Sequence, residues 1–303
     1  MDGAELSQVD GVAIALRGDG NEAVVRAWLR THSANTRKAY AADLSQFFGF
    51  VGQAPLGAVT LEDLQDYADH LRVTYPHPQG GDSLSRSARR KLAAVKSLLG
   101  FAQQCGAIRF NVGAALKLRR GQQTITARLL SEEQVFSLFA AAASARDEAL
   151  LRLLYATGAR VGEVSRLTWG DVVALADGRA VVSVYSPKTD TSHAVTISAD
   201  LLSRLEALAP DARRDAPLLT SRRGNALSPR RIREIVTAIA DRAGVDLPVS
   251  PHWFRHSHAT HARNRGADMA TISKTLGHSS LDTTLQMYTH LAGDQSSGDF
   301  LPV

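Results

Sequence analysis

The sequence predicts a mainly α protein of two domains. Three observations carry this. Apolar residues recur at helical spacings of three and four from Glu22 to about residue 118, with no strand pattern. Residues 119–128, RRGQQTITAR, are polar, basic and aperiodic. The second half is helical again except for one pair of β-rich runs between 180 and 197. At 303 residues and 44% hydrophobic content the chain can bury full cores in two domains, which excludes a mostly disordered protein.

Taken in order, residues 1–20 hold Asp2, Glu5, Asp10 and Asp19 without a period and are expected to form a flexible arm. The first domain spans 21–118. Val24, Val25, Trp28 and Leu29 mark one helix; Tyr40, Leu44, Phe47, Phe48 and Val51 mark a second, with Ser33 or Asn35 as its cap. Thr60, followed three residues on by Asp63, opens a third, running to about Val73. TYPHPQGGDS is a loop, and a basic helix follows from about Ser85 to Gln104 with an apolar stripe of Leu92, Val95, Leu98, Leu99 and Phe101. Residues 119–130 are the linker. The second domain, 131–292, begins at Ser131 with Gln134 completing a capping box, and a helix from about Arg146 to Tyr155 leads into ATGARVGEVSRL. AVVSVYSPKTDTSHAVTIS is a hairpin turning at Pro187 to Thr191, after which the pattern is helical to about residue 291. Residues 293–303 form a tail ending in Phe300, Leu301 and Val303.

Cys105 is the single cysteine, so neither a disulfide framework nor a cysteine zinc site can form within the chain. No apolar run approaches a membrane span, and the first residues lack the basic and apolar regions of a secretory signal; a cytoplasmic location is expected. The net charge of +5 is unevenly spread: between Asp82 and Glu132 there is no acid, while Arg86, Arg89, Arg90, Lys91, Lys96, Arg109, Lys117, Arg119, Arg120 and Arg128 all fall there. So long a one-signed run points to a nucleic-acid partner rather than a solvated face.

HWFRHSHATHA, residues 252–262, poses the choice of chemistry. His256, His258 and His261 have a spacing known from metal-dependent hydrolases, but on a helix turning 100° per residue His258 and His261 point away from His256. His252, Arg255, His256 and Ala259 share a face instead, and His252 with Arg255 can meet one phosphate. Three further pieces join them: Arg160 after a glycine turn with Glu163 beside it, Lys188 at the hairpin tip, and His278 just past Gly277 with Tyr288 ten residues on.

In order and spacing these segments resemble the catalytic domain of the tyrosine recombinases, the family of phage integrases and Xer recombinases. The matching segments are Ala156 to Leu167, Lys188, His252 to Thr260, Leu276 to His278, and Tyr288; SANTRKAYAADLSQFFGF resembles the family's core-binding motif. The resemblance covers about residues 22–292. It implies a SAM-like helical core-binding domain and an α-rich catalytic domain with a small antiparallel sheet, together a C-shaped clamp on double-stranded DNA. It further implies no cofactor or metal, no membrane, and four protomers (a homotetramer, or a heterotetramer with a second recombinase) on two DNA sites. Departures are Val112, Phe254 after Trp253, His193 where arginine is common, and the tail.

The expected chemistry follows the residues. Cleaving a phosphodiester without a metal needs positive charge at the pentavalent phosphorus, and a guanidinium can give two hydrogen bonds to phosphate oxygens; Arg160 and Arg255 take that part. Ionising a tyrosine at pH 7 costs about 4 kcal/mol, so the nucleophile Tyr288 needs a nearby acceptor, for which His252 is the candidate. Lys188 would protonate the leaving 5′-oxygen, His278 would bond a non-bridging oxygen or place Tyr288, and Glu163 would orient Arg160 or a histidine. Arg86, Arg89, Arg90, Lys91, Lys96, Arg119 and Arg120, with Arg222, Arg223, Arg230, Arg231 and Arg233 of SRRGNALSPRRIREIV, are the expected DNA contacts.

The expectation is a site-specific recombinase acting through a 3′-phosphotyrosyl intermediate, in chromosome or plasmid dimer resolution or in mobile-element integration. The size, near that of the simple Xer type, favours dimer resolution. Its rivals are a type IB topoisomerase or telomere resolvase, and a DNA-binding accessory protein with a dead site.

Overall fold

The structure, a computed structural model, describes residues 20–78, 80, 83–118, 129–187 and 189–277. The expected arm (Gly20 excepted), Arg119, Arg120 and the rest of 119–128, Lys188, His278, Tyr288 and the tail lie outside the described residues. Contacts divide the chain into two units, Met1–Gln123 and Thr124–Val303.

In the first unit, α1 (Gly20–Arg30), α2 (Ala34–Phe50), α3 (Leu61–Thr74) and α4 (Arg86–Gln104) surround one core. Local chemistry sets the starts. The Thr60 hydroxyl accepts from the Asp63 N–H while the Asp63 carboxylate accepts from the Thr60 N–H, and Ser85 Oγ accepts from the Ala88 N–H. Ser33 caps α2 by position, but its hydroxyl meets Thr36 Oγ1 rather than a backbone N–H. Trp28, Phe47, Leu64, Tyr67, Leu71, Leu92, Leu98 and Leu99 are enclosed, and Trp28 stacks on Tyr40 at 5.1 Å. Removing such side chains from water is the main favourable contribution to folding, about 2 kcal/mol each.

The same core holds one ionic cluster. Asp43, 1% exposed, accepts from Lys91 Nζ at 3.1 Å and from both terminal nitrogens of Arg90, on α4. A carboxylate taken out of water needs this pairing to stay charged.

The second unit opens with α5 (Glu132–Ala140), capped by Ser131 and Gln134 in a reciprocal pair. α6 (Ala145–Thr157) is its central helix, and the short α7 (Val161–Val164) follows. A three-stranded antiparallel sheet, β1 (Val172–Ala174), β2 (Ala180–Ser186) and β3 (Thr191–Ile197), has β2 in the middle. Ala180, Val182, Val184 and Ser186 of β2 and Val195 and Ile197 of β3 face the core, as the period of two requires. β1 is an element that the sequence pattern does not predict; its three residues are too few to show a period. α8 (Ala199–Leu208), α9 (Pro229–Arg242), α10 (Pro251–Asn264) and α11 (Met269–Leu276) complete the unit. Residues 209–228 depart from the expected helical run: Pro210, Pro217 and Gly224 punctuate a stretch of turns with isolated bridges Thr168–Pro217 and Thr220–Ala226. Among the described residues no helix is long and apolar enough to cross a membrane.

Candidate active site

Two glycine turns and one buried arginine build the site. α6 ends at Gly158 in the left-handed conformation (φ 58°), and a Cβ there would lie 2.6 Å from Leu276 Cδ2 and 3.1 Å from His258 Cδ2. Only glycine fits both the backbone and the space. The turn delivers Arg160 as the N-cap of α7. Its backbone N–H donates to Glu163 Oε2 at 2.7 Å, its Nη1 donates to Glu163 Oε1 at 2.9 Å, and Nη1 also lies 3.5 Å from Ser186 Oγ. Burial alone would raise the Glu163 carboxyl, but the Arg160 backbone and guanidinium and the Ser186 hydroxyl outweigh it and hold it below the usual glutamate range.

α10 supplies the second arginine. Pro251 at its first turn fits the missing N–H, and the buried Trp253, Phe254, Ser257 and Ala259 seat it in the core. Arg255, 5% exposed, donates from Nη1 to the Gly158 carbonyl and from Nη2 to the Leu276 carbonyl, each at 2.8 Å. It therefore ties the end of α6 to the end of α11, where Gly277 (φ 60°) makes the cap. Arg160 follows the first carbonyl by two residues and His278 follows the second by two. His252 is exposed on the first turn of α10, its ring 6.4 Å from that of His256.

The other histidines of α10 are engaged in packing. His258 Nδ1 lies 2.8 Å from the Tyr155 carbonyl, and His261 Nδ1 lies 2.8 Å from the Tyr155 hydroxyl. Burial pushes both below the usual histidine range. Among the described residues no three His, Cys, Asp or Glu side chains are grouped to hold a metal ion.

The basic residues expected at DNA divide into two kinds. Lys91 is a correction: it is buried and paired with Asp43, so it is a structural cation and not a surface contact. Arg90 shares Asp43 through an exposed side chain, and Lys96 donates to the Leu116 carbonyl, which burial accompanies by lowering its ammonium pKa. Arg86, Arg222, Arg223 and Arg233 are exposed, and Arg89 is half-buried. Arg230 and Arg231 are exposed but pair with Glu234. A cavity of about 630 Å³ beside α9 is lined by five arginines, among them Arg222, Arg223 and Arg231, together with Glu234; it includes neither Arg160 nor Arg255.

Sequence reasoning missed Ser186 as a neighbour of Arg160 and Asp43 as the partner of two α4 cations. The signal for Ser186 is its phase: it alternates with Val182 and Val184 and must share their inward face.

The phage integrase family model matches residues 128–294, and the model for the phage integrase N-terminal SAM-like domain matches residues 28–106. Tyrosine recombinase XerD of Bifidobacterium longum is 32% identical over 278 residues, covering 85% of this chain and 87% of the relative. Tyrosine recombinase XerC of Mycobacterium tuberculosis is 31% identical over 277 residues, covering 86% and 89%. Among solved structures, a lambda integrase dimer bound to a COC′ core site superimposes with a TM-score of 0.70 at 17% identity, covering 88% of this chain and 94% of the other. XerH site-specific recombinase bound to difH substrate gives 0.65 at 20%, covering 90% and 82%.

Proposed function

The chain belongs to the phage integrase family and is a tyrosine-type site-specific recombinase of the Xer type, and from that premise we propose how its own residues carry the reaction. Arg160 and Arg255 bind the scissile phosphate and meet the charge that develops on its non-bridging oxygens. Tyr288 attacks the phosphorus, His252 accepts its proton, and Lys188 protonates the leaving 5′-oxygen. His278 bonds the phosphate or places Tyr288, and Glu163 fixes the Arg160 fork. The 3′-phosphotyrosyl bond keeps the energy of the broken linkage, so the 5′-hydroxyl of a second duplex attacks it and restores DNA with release of the tyrosine.

The observation that carries this reading is the Arg255 clasp. One side chain holds the turn that precedes Arg160 and the end of α11, so segments 97 and 21 positions away in the sequence meet at Arg255.

Duplex DNA as partner, assembly into a tetramer on two sites, and work in resolving chromosome dimers belong to the same proposal. It draws on the relatives solved on DNA, which include a lambda integrase tetramer bound to a Holliday junction. Exposed Arg86, Arg222, Arg223 and Arg233 would meet phosphates.

The test is covalent trapping. The chain and its Tyr288→Phe form are incubated with nicked genomic DNA fragments in EDTA and separated on a denaturing gel. An adduct in the wild type that vanishes in the variant is expected. Tight DNA binding with no adduct from either would favour the accessory-protein reading.

A further inference from the structure

The inward face of β3 carries a histidine near the hairpin tip. His193 stands opposite Val184 in the ladder and in phase with buried Val195 and Ile197. Both of its ring nitrogens are enclosed, and neither has a hydrogen-bond partner among the described residues. The ring lies against Gly277: a Cβ at that glycine would fall 2.6 Å from His193 Nδ1 and 2.8 Å from Cε1. The charged groups around it are Glu163, Arg255 and Arg160. On the same face Ser186, which pairs with Thr191, reaches Arg160. The stem of the hairpin is thus held on one side by the Arg160 cluster and on the other by the cap of α11.

An enclosed imidazole that no described residue hydrogen-bonds costs free energy, and such a group persists where its position is used. Its surroundings also keep it neutral. Burial lowers its basicity, and a proton would place a third cation beside Arg160 and Arg255 against the single carboxylate of Glu163. What remains useful is the bulk and flatness of the ring.

We propose that His193 is a positioning residue for strand cleavage: its ring wedges the hairpin against Gly277 and sets the register of the two segments that continue into Lys188 and His278. The proposal rests on the recombinase reading and adds to it a residue that never touches DNA.

The probe is the nicked fragment that the wild type captures covalently. Fragment affinity and the rate of adduct formation are measured for the full chain and for His193→Ala, His193→Phe and His193→Gln. His193→Ala is expected to form the adduct at least about tenfold more slowly, because small misplacements of reacting groups are costly, with affinity within about twofold of wild type. His193→Phe restores the rate to within about threefold. An unchanged rate in His193→Ala overturns the proposal. So does rescue by glutamine but not phenylalanine, which would make a ring nitrogen the working feature. A second measurement guards against a variant that folds poorly. The urea midpoints of Gly277→Ala, His193→Ala and the double variant should be non-additive, the double variant losing less than the sum, because the missing ring makes room for the new Cβ. Additive losses overturn the wedge. A wild type that captures no fragment brings down the recombinase reading and this proposal with it, while the urea cycle still reports on the packing alone.

Discussion

Arg255 donates to the carbonyl oxygen of Gly158 across 97 positions of sequence, at 2.8 Å, with its other terminal nitrogen on Leu276. Lysine carries the same charge but cannot reach two carbonyls in a fork. Arg255→Lys is expected to lose about 2–4 kcal/mol of stability, measured by urea unfolding, because it leaves a buried acceptor unpaired and a buried cation under-bonded. Adduct formation should be undetectable while DNA binding survives.

The two costs of a side chain at Gly158 can be separated. Gly158→Ala meets both a left-handed backbone and a 2.6 Å contact with Leu276, and about 2–4 kcal/mol of stability should be lost. Gly244→Ala, at φ 66° with nothing within 4 Å, should lose about 1 kcal/mol. Equal urea midpoints for the two would show that Leu276 yields freely.

Asp43→Asn leaves Lys91 and Arg90 without their carboxylate inside the first unit. A loss of about 3–5 kcal/mol is expected, concentrated in amide-exchange protection of α2 and α4.

Salt dependence distinguishes cations at the surface from those tied inside. Arg233→Ala should reduce the slope of log affinity against log salt by about 1, whereas Lys91→Met should leave that slope unchanged. A reduced slope in the Lys91 variant would mean that Asp43 releases it on binding.

Glu163 has its pKa lowered in the folded state, so the stability it contributes is present above the ordinary glutamate range and is lost as pH falls through the folded pKa. Glu163→Gln should therefore be less stable than wild type at pH 7 by about 1–3 kcal/mol, and the gap should close on acidification below about pH 4. His258 and His261 act in the same direction at milder pH: their folded pKa values are lowered, so acidification below about 6.5 costs stability as the unfolded chain takes up protons.

Much of this is legible in the linear sequence. The capping residues Thr60 and Ser131 act through neighbours three residues away, and a linear reading sees such pairs directly. Motif spacing singles out Arg160, His252 and Arg255, and the turn of α10 points His258 and His261 away from His256, as angular arithmetic requires, toward Tyr155. What escaped was long-range. Lys91 counted as one charge in an acid-free run because its acid stands 48 positions earlier, and β1 has too few residues to declare itself. His193 registers only as a departure from an expected arginine, since its neighbour Gly277 is 84 positions away and nothing local marks the contact.

The acceptors of Arg255 have one more consequence. Gly158 and Leu276 stand at the carboxyl ends of α6 and α11, where aligned peptide dipoles leave roughly half a negative charge apiece. Those partial charges make burial of the guanidinium tolerable in place of water. Because they belong to neutral backbone, they do not cancel its formal charge as a carboxylate would. The two carbonyls solvate the cation from fixed positions, so that a phosphate arriving beside it finds that solvation already in place and need not wait for it to reorganise.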